Sequence, residues 1–298
     1  IYRQRQIFKQ QPTSNKFRYF KEEIFMSIKL IATDLDGTLL QGDHLTVSKQ
    51  NIDAITHASE KGVLFAIATG RTWGVMSNIA GQVPVTNYAV LSNGASAYDI
   101  NSRKLIPLRE MPFKLWHPIY IYLKQNNCIP EIYYNGKSYL EQNLLSSYKS
   151  PYIKEDFTNE LKSHLTAVDN LENYLVNKPI EKINVLFTPE ENCGQVYDTL
   201  KISEDIHITS SLPGNIEITL KGVNKAYALK RLCLDLDISN EEVMVFGDAD
   251  NDIEMLKWAK WSFAMENADE NIRKTAHFIT DSNTKDGVAK GIEKYILK

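Results

Sequence analysis

The sequence predicts an α/β fold built on a parallel sheet and interrupted by one α+β insert. Three observations carry that prediction. Short apolar runs such as "IKLIAT" at 28–33 and "VLFAIA" at 63–68 are what strands buried on both faces require. These runs alternate with stretches of helical period, the pattern of right-handed strand–helix–strand crossovers. Between about 109 and 209 the pattern breaks. Aromatics become frequent there and polar residues alternate with apolar ones, as in "CIPEIYYNGKSYLEQ" and "KINVLFTPEEN". The predicted organisation is a core at 26–108 and 210–298, with an inserted unit at 109–209.

Each element follows from local chemistry. Residues 1–25 hold Arg3, Arg5, Lys9, Lys16, Arg18 and Lys21 against Glu22 and Glu23. They lack the apolar segment of a signal peptide, and their Ser and Arg content is modest for a transit peptide. We read them as a disordered or non-native extension, with Met26 as the natural start. After the strand at 28–33, Ser48 caps a helix to about 61, with Ile52, Ile55 and Ala58 on one side and Gly62 at its end. The strand at 63–68 leads into a short helix at 72–80, and "YAVLS" at 88–92 is a third strand. Inside the insert, "YNGK" around Asn135-Gly136 signals a hairpin turn. The α/β texture is expected to return near Ile216. A helix at about 225–234, the strand "VMVF" at 243–246, a helix from Asn251, the strand "SFAM" at 262–265 and a helix from about Gly287 complete the chain.

Composition excludes several classes of function. The 298 residues are 43% hydrophobic and 24% charged, as in an ordinary globular protein of one or two domains. A net charge of -3 gives no basic surface for nucleic acid. No apolar run reaches the roughly 20 residues that span a bilayer. Cys128, Cys193 and Cys233 lie far apart without a C-x-x-C pair, which argues against structural zinc and a disulfide framework. A reducing cytoplasm is the expected location.

Function is written at the strand ends. In "IATDLDGTLLQGD" an apolar strand runs into Asp34 and Asp36, followed at once by Gly37 and Thr38; in "VFGDADND" another runs into Asp248, Asp250 and Asp252. One acidic strand end alone is often a solvated helix cap. In open α/β sheets, however, ligands bind beyond the carboxyl ends of the strands, so two such ends can meet in space. Oxygen ligands gathered on one edge suit Mg²⁺. A calcium-binding loop is a poor match, because its sixth and twelfth positions are Ile253 and Ala259 where Gly and Glu are needed. "AIATGRT" offers the Thr69 hydroxyl and backbone N–H groups at Gly70 beside a helix start, an anion site. Lys225 opens a helix, where a cation is mildly unfavourable and a specific role is favoured over an ordinary exposed lysine.

Together these segments carry a resemblance. "DLDGTLL", "ATGR", "NKAYAL" and "GDADND" resemble, in order, the four motifs of the haloacid dehalogenase superfamily of phosphotransferases. The stretch 26–298 is similar to its Cof-like sugar-phosphatase branch, which carries a type IIB (C2B) cap on a Rossmann-like core. The departure is the extension before Met26. The resemblance implies a Mg²⁺-dependent phosphomonoester hydrolase acting through an aspartyl-phosphate on a small phosphorylated metabolite, with sugar phosphates as the expected class. It implies Asp34 as nucleophile and Asp36 as general acid and then base. Asp34, the backbone carbonyl of Asp36, and Asp248 would hold the metal, supported by Asp252 and Asn251. Thr69 and Lys225, with backbone N–H groups near Leu35 and Gly70, would hold the phosphoryl oxygens. Asn93, in "LSNGA", would lie near cap and substrate. Cap contacts are expected among Tyr133, Tyr134, Asn135, Lys182 and Asn184. A receiver-like phosphate acceptor would need neither Asp36 nor the insert. A phosphomutase of the same superfamily would share the nucleophile, and a membrane pump lacks its spanning segments here.

Overall fold

In the computed structural model, which describes residues 28–298, the first strand, β1 (Leu30–Thr33), is buried along its whole length. The extension expected at 1–25, and Met26, lie outside the described residues. The chain continues through α1 (Lys49–Glu60), β2 (Leu64–Ala68), α2 (Trp73–Gln82), β3 (Tyr88–Leu91), β4 (Ser96–Asp99) and β5 (Lys104–Pro107). Next come α3 (Phe113–Gln125), β6 (Pro130–Tyr134), β7 (Lys137–Glu141), α4 (Glu155–Ser163), β8 (Leu165–Val168), α5 (Leu171–Tyr174), β9 (Lys182–Val185), α6 (Glu190–Lys201), β10 (Ile206–Thr209) and β11 (Ile216–Leu220). The last stretch holds α7 (Lys225–Asp235), β12 (Val243–Gly247), α8 (Ile253–Trp258), β13 (Trp261–Met265), α9 (Glu270–Thr275), β14 (Phe278–Thr280) and α10 (Gly287–Ile292).

The first sheet has the order β14-β13-β12-β1-β2-β3-β4-β5. Pairing is parallel from β14 to β3, while β4 and β5 extend the edge antiparallel. Period-two alternation sends successive β1 residues to opposite faces. Ile31 joins a cluster with Ile55, Met76 and Val288 from α1, α2 and α10. Leu30 and Ala32 join one with Leu229, Met255 and Ile272 from α7, α8 and α9. Helices on both faces explain why these strands are apolar without interruption. Ser48 caps α1 as expected, its hydroxyl accepting from the Asn51 N–H at 3.1 Å. β12, β1, β2 and β3 are consecutive neighbours, so loops far apart in sequence gather at one edge.

The second sheet, in the order β10-β11-β9-β6-β7-β8, is nearly all antiparallel. The β6–β7 turn forms at Asn135 and Gly136, with φ of 50° and 70°, the left-handed pair that a tight hairpin needs. One face of this sheet (Ile132, Ile183, Val185, Ile216, Ile218) packs against Trp116 and Tyr120 of α3 and Val196 of α6. The alternate residues Glu131, Tyr133, Lys182, Asn184, Glu217 and Thr219 are also buried, on the face turned away from those helices. The expected return of the parallel pattern at Ile216 is corrected here. Ile216–Leu220 pairs antiparallel with β9 and β10, so the second sheet runs past 209 to Leu220. The β4–β5 pair and β14 are additions that the sequence reading did not contain. No helix among the described residues is long and apolar enough to cross a membrane.

Candidate active site

The loops after β1, β2, β3 and β12 meet beneath the polar face of the second sheet. The loop after β1 turns at Gly37, with φ of 76°. A Cβ there would lie 2.2 Å from Asp248 Oδ2, so only glycine lets the two acidic loops approach this closely. Thr38 closes the approach by donating its hydroxyl to Asp248 Oδ1 at 2.6 Å.

Lys225 begins α7, whose N-cap Asn224 accepts from the Tyr227 N–H at 2.8 Å. The Lys225 side chain is fully buried, and its ammonium donates to Asp34 Oδ1 at 2.6 Å, Asp252 Oδ1 at 2.7 Å and Asn251 Oδ1 at 3.4 Å. Burial alone would lower its pKa, but Asp252 and Asp34 outweigh that and hold it above the usual lysine range. Asp34 is pushed well above the usual carboxylate range by burial, against the pull of Lys225 and with Asp252, Asp248 and Asp36 adding to the rise. Burial, with Asp252 beside it, pushes Asp248 up to about 7.

That excess of buried negative charge is what a divalent cation relieves. One carboxylate oxygen from each of Asp34, Asp248 and Asp252 lies within 4.8 Å of the others. Their roles differ. Asp252 Oδ2 accepts from the N–H groups of Asp248 and Ala249, at 2.9 and 3.1 Å, and its Oδ1 accepts from Lys225. Both its oxygens are committed, which suits a supporting residue. Asp34 and Asp248 each give only Oδ1 to a protein donor among the described residues. The donor set is all oxygen and fits a hard cation such as Mg²⁺.

Asp36 turns its carboxylate away from this cluster. Arg71 Nε donates to Oδ2 at 2.9 Å and Arg71 Nη2 to Oδ1 at 2.5 Å, while His44 Nδ1 lies 2.8 Å from Oδ1. Burial would raise the Asp36 pKa; Arg71 and then His44 outweigh it and hold the group well below the usual carboxylate range. Asp36 is therefore held as a carboxylate.

Thr69 follows β2, its hydroxyl oxygen accepting from the Arg71 N–H at 3.1 Å, and Leu35 is buried behind Asp34. Asn93, at φ 55° after β3, links the two sheets. Its Nδ2 donates to Glu217 at 3.0 Å and its Oδ1 accepts from Asn251 at 3.3 Å. Lys182 pairs with Glu217 at 2.7 Å and donates to the Gly70 carbonyl at 2.6 Å. Burial tends to raise the Glu217 pKa, but Lys182 and Asn93 carry it below the usual range. Tyr133 and Asn184 line one cavity with Asp34, Asp36 and Arg71. Tyr134 does not; it packs beside Tyr139, and Asn135 is exposed in the hairpin turn. Those two expected contacts are corrected: alternation along β6 sends Tyr134 to the opposite face from Tyr133.

Sequence reasoning missed Arg71, His44 and Glu217. Arg71 stood inside the quoted "ATGR", but its partner Asp36 is 35 residues earlier. Glu217 alternates with apolar neighbours, a pattern usually read as a solvated face.

The haloacid dehalogenase-like hydrolase family matches residues 31–292. The chain is 31% identical over 274 residues to the 5-amino-6-(5-phospho-D-ribitylamino)uracil phosphatase YcsE of Bacillus subtilis, covering 91% of this chain and 97% of that protein. A haloacid dehalogenase-like hydrolase from B. subtilis superposes with a TM-score of 0.77 at 27% identity, over 89% of this chain and 99% of its own. A subclass IIB sugar phosphatase superposes with a TM-score of 0.76 at 22% identity, over 90% and 98%, a likeness of fold.

Proposed function

Because the chain belongs to the haloacid dehalogenase-like hydrolase family and is thereby an enzyme of the phosphatase class, we propose that it hydrolyses a small phosphomonoester through an aspartyl-phosphate on Asp34. The observation that carries this reading is the buried contact of Asp34 with Lys225 at 2.6 Å, within one cluster with Asp248 and Asp252. Asp34 attacks phosphorus through its second oxygen, and the phosphorus–oxygen bond to the leaving group breaks. Asp36 gives the departing alkoxide its proton, then takes one from the water that cleaves the acyl-phosphate. The Asp36–Arg71 pair favours the second of these states. An arriving phosphoryl dianion competes for Arg71 and favours the first. Lys225, the Thr69 hydroxyl and the N–H groups of Leu35 and Gly70 hold the phosphoryl oxygens, and Asn93 and Asn251 frame them. Asp34, the Asp36 carbonyl and Asp248 would hold Mg²⁺, with Asp252 fixing the loop. Bound there, the metal would supply charge neutralisation.

The cavity over Asp34 and Asp36 measures about 60 Å³. That is room for only a few waters, against roughly 300 Å³ or more for a ligand pocket, so the roof formed by the second sheet has to lift to admit substrate. Its walls combine Tyr133, Tyr148 and Leu186 with the carboxamides of Asn184 and Asn215. These surfaces suit an uncharged polyol or sugar, or a planar ring bearing one, and the named substrate of the B. subtilis relative belongs in the first panel. Three free cysteines support a reducing compartment, and we place the enzyme in the cytoplasm.

The test is phosphate release from sugar, polyol and aryl phosphates with Mg²⁺, with wild type beside Asp34→Asn. We expect release by the wild type, loss of at least about a thousandfold in the variant, and no release in excess chelator. Wild-type rates in Asp34→Asn would overturn the nucleophile, and turnover surviving chelation would overturn the metal.

A further inference from the structure

The two groups that grip Asp36 rest on one residue of the inserted unit. Phe157, buried in the first turn of α4, carries the Arg71 guanidinium carbon 4.7 Å from its ring centroid. His44 stacks on the same ring, with centroids 5.0 Å apart and planes 13° apart. Arg71 Nη2 also donates to the His44 backbone carbonyl at 2.9 Å, so arginine, histidine and Asp36 form one assembly. His44 adopts φ of 61°, a left-handed conformation that costs a histidine free energy unless its surroundings hold it. Helix α4 is tied to the core beside this point, Asn78 of α2 donating to Glu160 at 3.2 Å.

We propose that Phe157 is a positioning residue for the reaction: seating its ring on Arg71 and His44 when the roof closes fixes the Asp36 carboxyl toward the leaving-group oxygen. An aromatic face attracts a guanidinium and excludes water from it, so removing the ring frees Arg71 and His44 to change rotamer. The Asp36 carboxyl then loses its fixed direction. The inference rests on the phosphatase reading given above.

The test separates positioning from packing by the leaving group. An alkoxide needs the proton from Asp36, whereas a nitrophenolate leaves without much help. We expect Phe157→Leu to lower kcat/KM, which reports the steps up to leaving-group departure, about 10- to 100-fold on an alkyl phosphate such as ribitol 5-phosphate. On p-nitrophenyl phosphate we expect a loss below about threefold. Phe157→Tyr should restore kcat/KM on the alkyl ester, and Asp36→Asn should show the same leaving-group dependence of kcat/KM more strongly. Leu161→Ala, on the same helix and lining the same cavity, serves as the packing control and should affect both esters alike. Equal losses on both esters for Phe157→Leu, or wild-type rates on both, would overturn the proposal. Should Phe157→Leu unfold, Phe157→Met is measured under the same two criteria. Absence of release from either ester by the wild type would instead overturn the phosphatase reading, and this inference with it.

Discussion

Asp248 is the residue whose charge depends most directly on what else occupies the site. Burial, reinforced by Asp252, raises it from 3.8 to about 7. A carboxyl raised on folding favours the protonated folded state. Its contribution to stability is present below the unfolded value and is lost as pH rises through about 7. A cation bound to its carboxylate reverses that loss, and below about pH 7 the cation must first displace a proton. Mg²⁺ affinity should therefore weaken by up to about tenfold per pH unit below 7 and level off above it. Titration calorimetry at pH 5.5, 6.5 and 7.5 measures this, and an affinity independent of pH would show that Asp248 is already ionised without metal. Asp34, Asp36, Asp248 and Lys225 were legible because each stands next to a strand end or helix start of unusual composition. Arg71 and His44 were not. Their partner is another side chain brought close only by the fold, and an arginine after Thr-Gly carries no local sign of what it holds.

At the scale of elements, the site depends on the loop after β3 packing against the start of α7. Gly94 has φ of 96°, and a Cβ there would lie 2.1 Å from the Asn224 carbonyl oxygen, the N-cap that precedes Lys225. Gly94→Ala should cost about 1–3 kcal/mol from backbone strain alone. It should also displace Lys225 from Asp34, with kcat falling about 100-fold or more. Gly62→Ala is the matched control, with φ of 84° and open space around the added carbon. It should lower the melting temperature while leaving kcat unchanged. Equal kcat effects from the two variants would show that the Gly94 contact does not set Lys225. Strands β1, β2, β3, β12 and β13 were legible because burial on both faces leaves an unbroken apolar run. β4, β5, β8, β10 and β14 were not, being three or four residues long and mostly half-exposed or exposed. β11 was placed in the wrong sheet for a different reason. "IEITL" has the right texture for a strand, but nothing local says which sheet it joins, and its partners β9 and β10 precede it just as the returning core follows it.

At the scale of the whole molecule, the second sheet meets the first through charge. Lys182 and Glu217, both buried and 2.7 Å apart, come from neighbouring strands of the second sheet and touch the first domain through Gly70, Asn93 and Asn251. A Cβ on Gly70 would lie 2.8 Å from Glu217, so the two surfaces meet closely at this point. Removing one partner leaves the other charge buried and unpaired, which costs about 3–5 kcal/mol, whereas replacing both by apolar or neutral groups of similar shape costs far less. A roof that lifts, as proposed above, avoids that cost in a way that a core does not, because the stranded charge regains water. Lys182→Met should therefore lower kcat/KM by roughly 100-fold or more with little change in melting temperature. Lys182→Met combined with Glu217→Gln should recover at least about tenfold of that loss, a positive coupling in a double-mutant cycle. Losses that simply add would mean that each side chain contacts the substrate on its own, and the closed state would then be held by the substrate rather than by the protein. A large fall in melting temperature for Lys182→Met would place the pair in the folding of the second sheet instead of its closure.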